Sequence, residues 1–126
     1  MIIGIGSDLC NIDRIQASVD RFGDRFLNRV FTEKERAKAA RRPHTMAGTL
    51  AKRFAAKEAF SKAIGTGIHP PFTWHSISVG RDARGKPGLV PSEKMAAHLE
   101  SLGVTASHVS LTDDADVAVA FVVLEG

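Results

Sequence analysis

Residues 52–67 read KRFAAKEAFSKAIGTG, and this stretch decides the fold. Its small and apolar residues recur at helical spacing, which predicts a long helix from about Thr45 to Ile64. Gly65-Thr66-Gly67 ends that helix, and Pro70-Pro71 prevents it from resuming in the loop that follows. We therefore expect one long helix, with a sheet formed by other segments packed against it.

The N-terminal segment, from Ile2 to Leu9, predicts the first strand of that sheet. Side chains alternate along a strand, so Ile3, Ile5 and Leu9 share one face while Gly4, Gly6 and Asp8 share the other. Glycine weakens a strand, and two glycines on one face indicate that something packs closely against the backbone there. The simplest candidate is a helix.

The remaining segments predict an α+β domain. A helix from Asn11 to Phe22 is stopped by Gly23, and Thr32 with Glu35 forms a capping box for a helix that ends before Pro43. Later segments predict a hairpin with strands at 74–79 and 89–90, a helix from Ser92 to Leu102, and a second hairpin with strands at 108–112 and 117–124. The order βααα, ββ, α, ββ favours a mainly antiparallel sheet over a doubly wound parallel one.

Composition limits the class of protein. The 126 residues suffice for a single domain, residues 1–126, with a hydrophobic core. Cys10 is the only cysteine, and no run of about 18 apolar residues or signal peptide is present, so we expect a cytoplasmic protein with no membrane partner. A net charge of +3 with few aromatic residues makes a poor surface for nucleic acid.

Glu58 and Lys62 are the first candidate site residues, because they lie one turn apart on a face of small residues. They could form an ordinary surface pair, worth roughly 0.3–0.5 kcal/mol. Alternatively, Glu58 could face Asp8 across a cleft between the helix and the sheet. Mg²⁺ is typically held by one or two carboxylates and the phosphates of a substrate, so two acids would suffice. Periodicity alone leaves both possibilities open.

Other side chains near that helix suit a phosphate-containing ligand. Lys62 and Arg53 can supply positive charge, and Gly65 and Thr66 can offer backbone amides or a hydroxyl. Zinc is disfavoured, because the five histidines form no paired spacing on a helix and the cysteine stands alone.

Two further patterns have alternative interpretations. Arg14, Arg21 and Arg25 line one side of the first helix and its extension, either as a solvated face or as a docking surface for an acidic partner. The last strand, residues 117–124, is apolar on both faces, so either helices cover both sides or another subunit supplies one wall.

Three segments resemble the small, acyl-carrier-protein-synthase type of phosphopantetheinyl transferase. They are residues 4–15 (GIGSDLCNIDRI), residues 53–67 (RFAAKEAFSKAIGTG), and Gly85-Lys86-Pro87 together with residues 108–112 (HVSLT). The first two are highly specific, and together the segments span essentially the whole chain. The resemblance implies the 4'-phosphopantetheinyl transferase fold.

The resemblance also implies a magnesium-dependent enzyme. Asp8 and Glu58 would bind Mg²⁺, which would bridge the pyrophosphate of coenzyme A and the serine hydroxyl of an apo acyl carrier protein. Transfer of 4'-phosphopantetheine to that serine would release adenosine 3',5'-bisphosphate, as a step in fatty acid biosynthesis. Lys62 would stabilise or protonate the leaving phosphate, and Glu58 or a metal-bound water would take the serine proton.

Binding contacts and assembly follow from the same resemblance. Arg14, and with it Arg21 and Arg25, would dock the acidic helix of the carrier protein. Arg53, Gly65, Thr66 and Lys86-Pro87 would lie near the nucleotide end of coenzyme A. The family forms homotrimers with coenzyme A between subunits, which would explain a last strand without a polar face. This chain has Asp113 where many relatives have a histidine, so no role is carried over from that histidine to His108.

Overall fold

The computed structural model describes residues 1–126 and contains five helices and five strands. The helices are α1 Ile12–Phe22, α2 Asp24–Val30, α3 Glu33–Ala40, α4 Met46–Ala63 and α5 Glu93–Ser101, with one 3₁₀ turn at Pro43–Thr45. The strands are β1 Ile2–Asn11, β2 Ile77–Arg81, β3 Pro87–Pro91, β4 Ala106–Asp114 and β5 Val117–Glu125. No helix in the chain combines the length and the apolar character needed to cross a bilayer.

The main sheet has the order β1-β5-β4 with antiparallel pairing throughout, and β2 and β3 form a separate antiparallel hairpin. α4 packs across the main sheet, and its buried residues include Leu50, Ala55 and Phe60. From the sheet, the side chains of Ala118, Ala120, Val122 and Leu124 on β5 are fully buried. The α+β fold with a mainly antiparallel sheet against a long helix is therefore confirmed.

The two glycines of β1 let α4 lie directly on the strand. A Cβ atom added to Gly4 would lie 1.9 Å from the carbonyl oxygen of Ala63, and one added to Gly6 would lie 1.8 Å from that of Ala59. Real side chains cannot approach a backbone so closely. The close packing predicted for this face is thus packing against a helix, and it brings β1 and α4 together at backbone contact.

A buried ion pair holds the other side of α4. Lys57 Nζ lies 2.7 Å from Glu35 Oε1, and both side chains are completely buried. Lys57 also donates to the carbonyl oxygens of Val30 and Trp74, while Glu35 accepts from the Val79 amide. Burial lowers the pKa of Lys57, and Glu35 opposes that shift. Because these contacts join α2, α3, β2 and the loop before β2, they determine how α4 is oriented.

Helix caps occur where the sequence predicts them. The side chain of Asn11 accepts from the Asp13 amide, Thr32 and Glu35 form a capping box, and Ser92 accepts from the Met95 amide. Gly23 ends α1 with φ +56°, but a separate helix, α2, follows it and was not predicted. The chain therefore has four helices before the first hairpin, rather than three.

The first hairpin differs from its predicted position. β2 begins at Ile77 rather than Trp74, because Ser76 and Thr73 bond to each other in a turn. β3 begins at Pro87, which pairs with Arg81, so part of the predicted turn belongs to the strand. The Thr73–Ser76 hydrogen bonds compete locally with strand formation, as serine and threonine side chains commonly do.

Candidate active site

β1 and α4 bring Asp8, Glu58 and Lys62 together. Lys62 Nζ lies 3.2 Å from Asp8 Oδ1 and donates to the carbonyl oxygen of Ser7 at 3.0 Å. The side chain of Asp8 is 12% exposed, whereas that of Lys62 is 54% exposed. The Lys62 ammonium therefore lies at the rim of a cleft with the Asp8 carboxylate inside it, so Glu58 and Lys62 do not form a simple surface pair.

Glu58 is partly buried in this cleft. Burial is the main cause that raises the pKa of Glu58, and the charge of Asp8 and a hydrogen bond to Asp8 raise it further. Arg14 and Lys62 oppose the shift because their positive charges favour the ionised carboxylate. Two carboxylates so placed repel each other when both are ionised, and a bound cation would relieve that repulsion.

The two carboxylates of this cleft suit Mg²⁺ better than a metal ion whose ligands all come from the protein. No group of three or more His, Cys, Asp or Glu residues in the chain could hold a metal ion. The Asp8–Glu58 arrangement offers oxygen ligands from two carboxylates and leaves the remaining positions for water and substrate phosphate, which is how Mg²⁺ is commonly bound.

An open cavity of about 460 Å³ lies beside these residues. It is lined by Ser7, Asp8, Leu9, Lys62 and Val119. Leu9 and Val119 belong to the face of the sheet that points away from α4 and are paired in register. The cleft therefore opens where the outer face of the sheet begins.

Arg53, Lys86 and Pro87 lie in a different region from Asp8. Arg53 is only 2% exposed and lines a cavity of about 310 Å³. Lys86 and Pro87 line an adjacent cavity of about 320 Å³, and both cavities include Arg81 and Val90. Neither cavity shares a lining residue with the cleft at Asp8.

The Arg53 guanidinium is incompletely paired. Its Nη1 donates to the Thr49 carbonyl oxygen at 3.2 Å, while the buried Nε has no hydrogen-bond partner. Burial lowers the pKa of Arg53, and the neighbouring charge of Arg81 lowers it further. A buried donor without an acceptor is costly, so this group suits an incoming anion.

Gly65 and Thr66 lie just beyond α4. Gly65 has φ +86°, and the Thr66 hydroxyl donates to the carbonyl oxygen of Gly67 at 2.9 Å. Neither residue lines the cavity of Arg53 or that of Lys86. Within one chain, the predicted nucleotide-binding residues therefore fall into two places.

The predicted docking arginines are exposed on α1 and α2. Arg14 lies near enough to Glu58 to affect its pKa, and the Arg21 guanidinium lies 5.1 Å from the centre of the Phe22 ring. Arg25 lines a cavity of about 190 Å³ together with Phe22, Phe26 and Arg29. The surface thus combines positive charge with two aromatic rings, although Gly23 divides it between two helices.

A strongly basic cavity was not predicted from the sequence. It has a volume of about 660 Å³ and contains the cationic side chains Lys38, Arg41, Arg42, Lys52 and Arg81. Asp113 also lines it and lies 3.3 Å from Lys52. The cluster at 38–42 is visible in the sequence, but only the fold places it opposite α4 and β2. His108 lies elsewhere, 3.0 Å from Glu125.

The outer face of the main sheet is apolar and uncovered. Ile5 is 52% exposed, Leu9 66% and Phe121 46%. Ser7 is paired with Phe121, and Leu9 with Val119, so these residues form a continuous patch across β1 and β5. The interpretation that helices cover both faces of the last strand is therefore wrong, because α4 covers only one face.

Comparisons with known proteins agree with this architecture. The family model of the 4'-phosphopantetheinyl transferase superfamily matches residues 4–122. A holo-[acyl-carrier-protein] synthase from Sphingopyxis alaskensis is 57% identical over 129 aligned positions, which cover 99% of this chain and 97% of that protein.

Solved structures are similar over the same extent. The crystal structure of holo-[acyl-carrier-protein] synthase from Neisseria meningitidis has a TM-score of 0.94 at 39% identity and covers 100% of both chains. That of the Bacillus anthracis protein, in complex with CoA (3',5'-ADP), has a TM-score of 0.82 at 38% identity and covers 98% of this chain and 96% of that chain.

Proposed function

The chain belongs to the holo-[acyl-carrier-protein] synthases of the 4'-phosphopantetheinyl transferase superfamily, and from this premise we propose that Asp8, Glu58 and Lys62 are its catalytic residues. The enzyme transfers 4'-phosphopantetheine from coenzyme A to a serine of apo acyl carrier protein, in fatty acid biosynthesis. The products are holo acyl carrier protein and adenosine 3',5'-bisphosphate. The observation that carries the proposal is the convergence of the three side chains in one cleft, with Lys62 Nζ 3.2 Å from Asp8 Oδ1.

Mg²⁺ is the proposed cofactor, with Asp8 and Glu58 as its protein ligands. When bound, it would supply positive charge to the phosphoryl oxygens of coenzyme A. The support is the pair of close carboxylates, of which Glu58 has a raised pKa. When both carboxylates are ionised they need a countercharge, which Arg14 and the exposed Lys62 ammonium supply only in part.

Lys62 and Glu58 have separate roles in moving protons. The hydrogen bonds to Ser7 and Asp8 hold the Lys62 ammonium at the mouth of the cleft, where it can stabilise or protonate the leaving phosphate. Glu58 accepts the proton of the attacking serine hydroxyl. Glu58 shares the cleft with Asp8, so its carboxylate would lie beside a serine hydroxyl delivered there and could act as the general base.

Arg53, Lys86 and Pro87 are proposed to bind the nucleotide end of coenzyme A, together with Gly65 and Thr66. Support comes from the unpaired Nε of Arg53 and from the cationic side chains around it. The cavities of Arg53 and Lys86 share no lining residue with the cleft at Asp8. One coenzyme A molecule would therefore more readily contact both the cleft and these cavities if the cleft came from one chain and the cavities from another.

The enzyme is accordingly proposed to be a homotrimer with its active sites between subunits. The apolar patch of Ile5, Leu9 and Phe121 is the surface that would be buried, and it adjoins the cleft through Leu9. Burying such side chains favours association by about 25 cal/mol for each Å² of apolar area removed from water. The proposed place of action is the cytoplasm.

The carrier protein is proposed to dock on Arg14, Arg21 and Arg25. Arg14 lies near Glu58, so a carrier bound there would deliver its serine close to the cleft. Reversing one charge, Arg21→Glu, should raise KM for the carrier about tenfold or more at low salt while KM for coenzyme A changes little. Arg84→Glu, on the exposed turn before Gly85, serves as the matched control.

Mass spectrometry of the carrier protein tests the transferase activity. Apo carrier protein incubated with the enzyme, coenzyme A and Mg²⁺ should gain the mass of phosphopantetheine, and chelation of the metal should stop the gain. Asp8→Asn and Glu58→Gln should each lower kcat by at least about a hundredfold, whereas Asp24→Asn on α2 should not. Near-normal turnover of Asp8→Asn at low Mg²⁺ would remove Asp8 from the metal site.

A non-catalytic module that binds acidic proteins through the arginine surface is the second candidate. It is favoured only by the Arg25 cavity with its two phenylalanines. Calorimetry separates the two functions, because a docking module should show no magnesium-dependent binding of coenzyme A.

A further inference from the structure

The basic cavity lies between the end of α3, the start of α4 and the tip of the β4–β5 hairpin. Its five cationic side chains are Lys38, Arg41, Arg42, Lys52 and Arg81. Only Lys52 has an acidic partner, Asp113, because the other three salt bridges of the structure join residues outside the cavity. Four cations without an acidic partner around one space create a positive potential that attracts an anion.

A neighbouring donor points to the same ligand chemistry. The cavity of Arg53 shares Lys38 and Arg81 with the basic cavity. The Arg53 side chain is almost completely buried, and its Nε has no acceptor within the chain. A phosphate oxygen in the Arg53 cavity would offer this guanidinium group an acceptor, and charge-assisted hydrogen bonds of this kind are strong.

Asp113 is the single carboxylate in this space. Its side chain is 45% exposed, and its Oδ1 lies 3.3 Å from Lys52 Nζ. It reduces anion binding in two ways: its own charge repels a phosphate, and it occupies the ammonium group of Lys52. Both effects have the same sign, so removing the charge should strengthen binding.

We propose that Asp113 sets how tightly the basic cavity holds the phosphate groups of a nucleotide. Apart from Asp113, the charged residues of the cavity are all basic. The Asp113 carboxylate lowers the affinity of the cavity for a phosphate-rich nucleotide enough to let that nucleotide leave. This inference rests on the proposed function, which supplies adenosine 3',5'-bisphosphate as the nucleotide that must be released.

Calorimetric titration with adenosine 3',5'-bisphosphate tests the inference. Asp113→Asn should bind it roughly five- to tenfold more tightly than the unmodified protein at low salt, the size expected for removing one unit charge near a partly exposed site. The difference should shrink at about 0.5 M salt, where exposed charges are screened. Asp114→Asn is the matched control, because Asp114 is the next residue but does not line the cavity.

Lys52→Gln adds a second arm. It should weaken nucleotide binding by a factor similar to the gain expected for Asp113→Asn, because it removes one positive charge and leaves the Asp113 carboxylate without its partner. Adding Asp113→Asn to Lys52→Gln should restore most of that loss. Circular dichroism checks that each variant is folded.

The outcomes separate this inference from the proposed function. Unchanged or weaker nucleotide binding by Asp113→Asn, with normal carrier modification by the unmodified protein, would overturn the role of Asp113 alone. An unmodified protein that neither bound the nucleotide nor modified the carrier would overturn both.

Discussion

Glu58 lies beside Asp8 in a partly buried cleft, and its raised pKa shows that ionising it there is less favourable than in water. A catalytic group often carries such a cost, because the arrangement that serves the reaction differs from the one that best stabilises the fold. Asp8 is the principal neighbouring charge, and Lys62 and Arg14 offset it only in part. Stability and activity should therefore respond in opposite directions when Glu58 is neutralised.

Glu58→Gln should raise the Tm of the metal-free protein at neutral pH while abolishing transfer. A raised pKa means that the folded protein holds the Glu58 proton more tightly than the unfolded chain does. The stability associated with that proton is present at low pH and is lost as pH rises through the folded-state pKa. Glutamine cannot lose a proton, so the variant should melt higher at neutral pH, by about 1–3 °C given the partial exposure of the site.

Thermal melts from neutral pH down to about pH 4 provide the measurement. The difference in Tm between Glu58→Gln and the unmodified protein should vanish near the ordinary pKa of glutamate. Glu100→Gln, which removes an exposed carboxylate on α5, should show no such trend. A Glu58→Gln variant less stable than the unmodified protein at neutral pH would contradict the prediction.

The packing of α4 connects the fold to the site. On one side, Gly4 and Gly6 place β1 against the carbonyl groups of α4, and on the other, Lys57 joins α4 to Glu35. Glu58 is the residue after Lys57, and Asp8 is two residues after Gly6. The distance between the two carboxylates therefore depends on both contacts.

Gly6→Ala should separate β1 from α4. The new methyl group would lie 1.8 Å from the Ala59 carbonyl oxygen, so strand or helix must move. We expect a loss of about 1–3 kcal/mol or more in the free energy of unfolding and a fall in kcat from the displaced Asp8. Urea denaturation measures the free energy of unfolding, and the carrier-modification assay measures kcat.

Gly88→Ala is the control for that change, because a Cβ atom there would have no neighbour within 4 Å. A Gly6→Ala protein as stable and active as the control would show that β1 and α4 tolerate a wider spacing.

Lys57→Met should destabilise the protein strongly. The substitution leaves the completely buried Glu35 carboxylate without its charged partner, which typically costs about 3–5 kcal/mol. Combining it with Glu35→Leu should restore part of the loss, because an apolar pair avoids the buried charge. Denaturant unfolding gives the values, and Lys34→Ala, at an exposed position on α3, should change them by less than about 0.5 kcal/mol.

The molecule as a whole has one sheet face covered by α4 and another that is open. The open patch of Ile5, Leu9 and Phe121 lies next to the cleft, whereas Arg53 and Lys86 line other cavities. A large exposed apolar patch is typical of an interface between proteins. Assembly and activity should therefore be lost together if the active site lies between subunits.

Phe121→Glu should convert the proposed trimer into monomers of 13.5 kDa and abolish transfer. A charge buried against two other copies is unfavourable, whereas the same charge on a free surface costs little. Light scattering after size exclusion measures the mass. Leu102→Glu changes another exposed apolar residue, which lies at the end of α5 and outside the strands of the main sheet, and should leave the trimer intact.

An active Phe121→Glu monomer would show that one chain forms a complete site. An unmodified protein that runs as a monomer at all concentrations would contradict the proposed trimer itself.

Sequence patterns by themselves determined the α+β class, the long helix and the close packing at Gly4 and Gly6, because these depend on local periodicity and on the small size of glycine. They did not predict α2, since a glycine such as Gly23 indicates the end of a helix but does not specify that a second helix begins directly after it. The first residues of β2 and β3, Ile77 and Pro87, were not predicted either. They depend on hydrogen bonds whose partners cannot be identified from the alternation of residues.

The candidate site divides in the same way. Asp8, Glu58 and Lys62 could be named from the sequence through their motifs, but spacing along the chain contains no information on distances between a strand and a helix 50 residues apart. Only the tertiary structure brought Lys62 to Asp8, paired Lys57 with Glu35, and placed Lys52 and Asp113 in one basic cavity. The physical reason is that charges act through space, so their effects depend on the fold and not on their order in the chain.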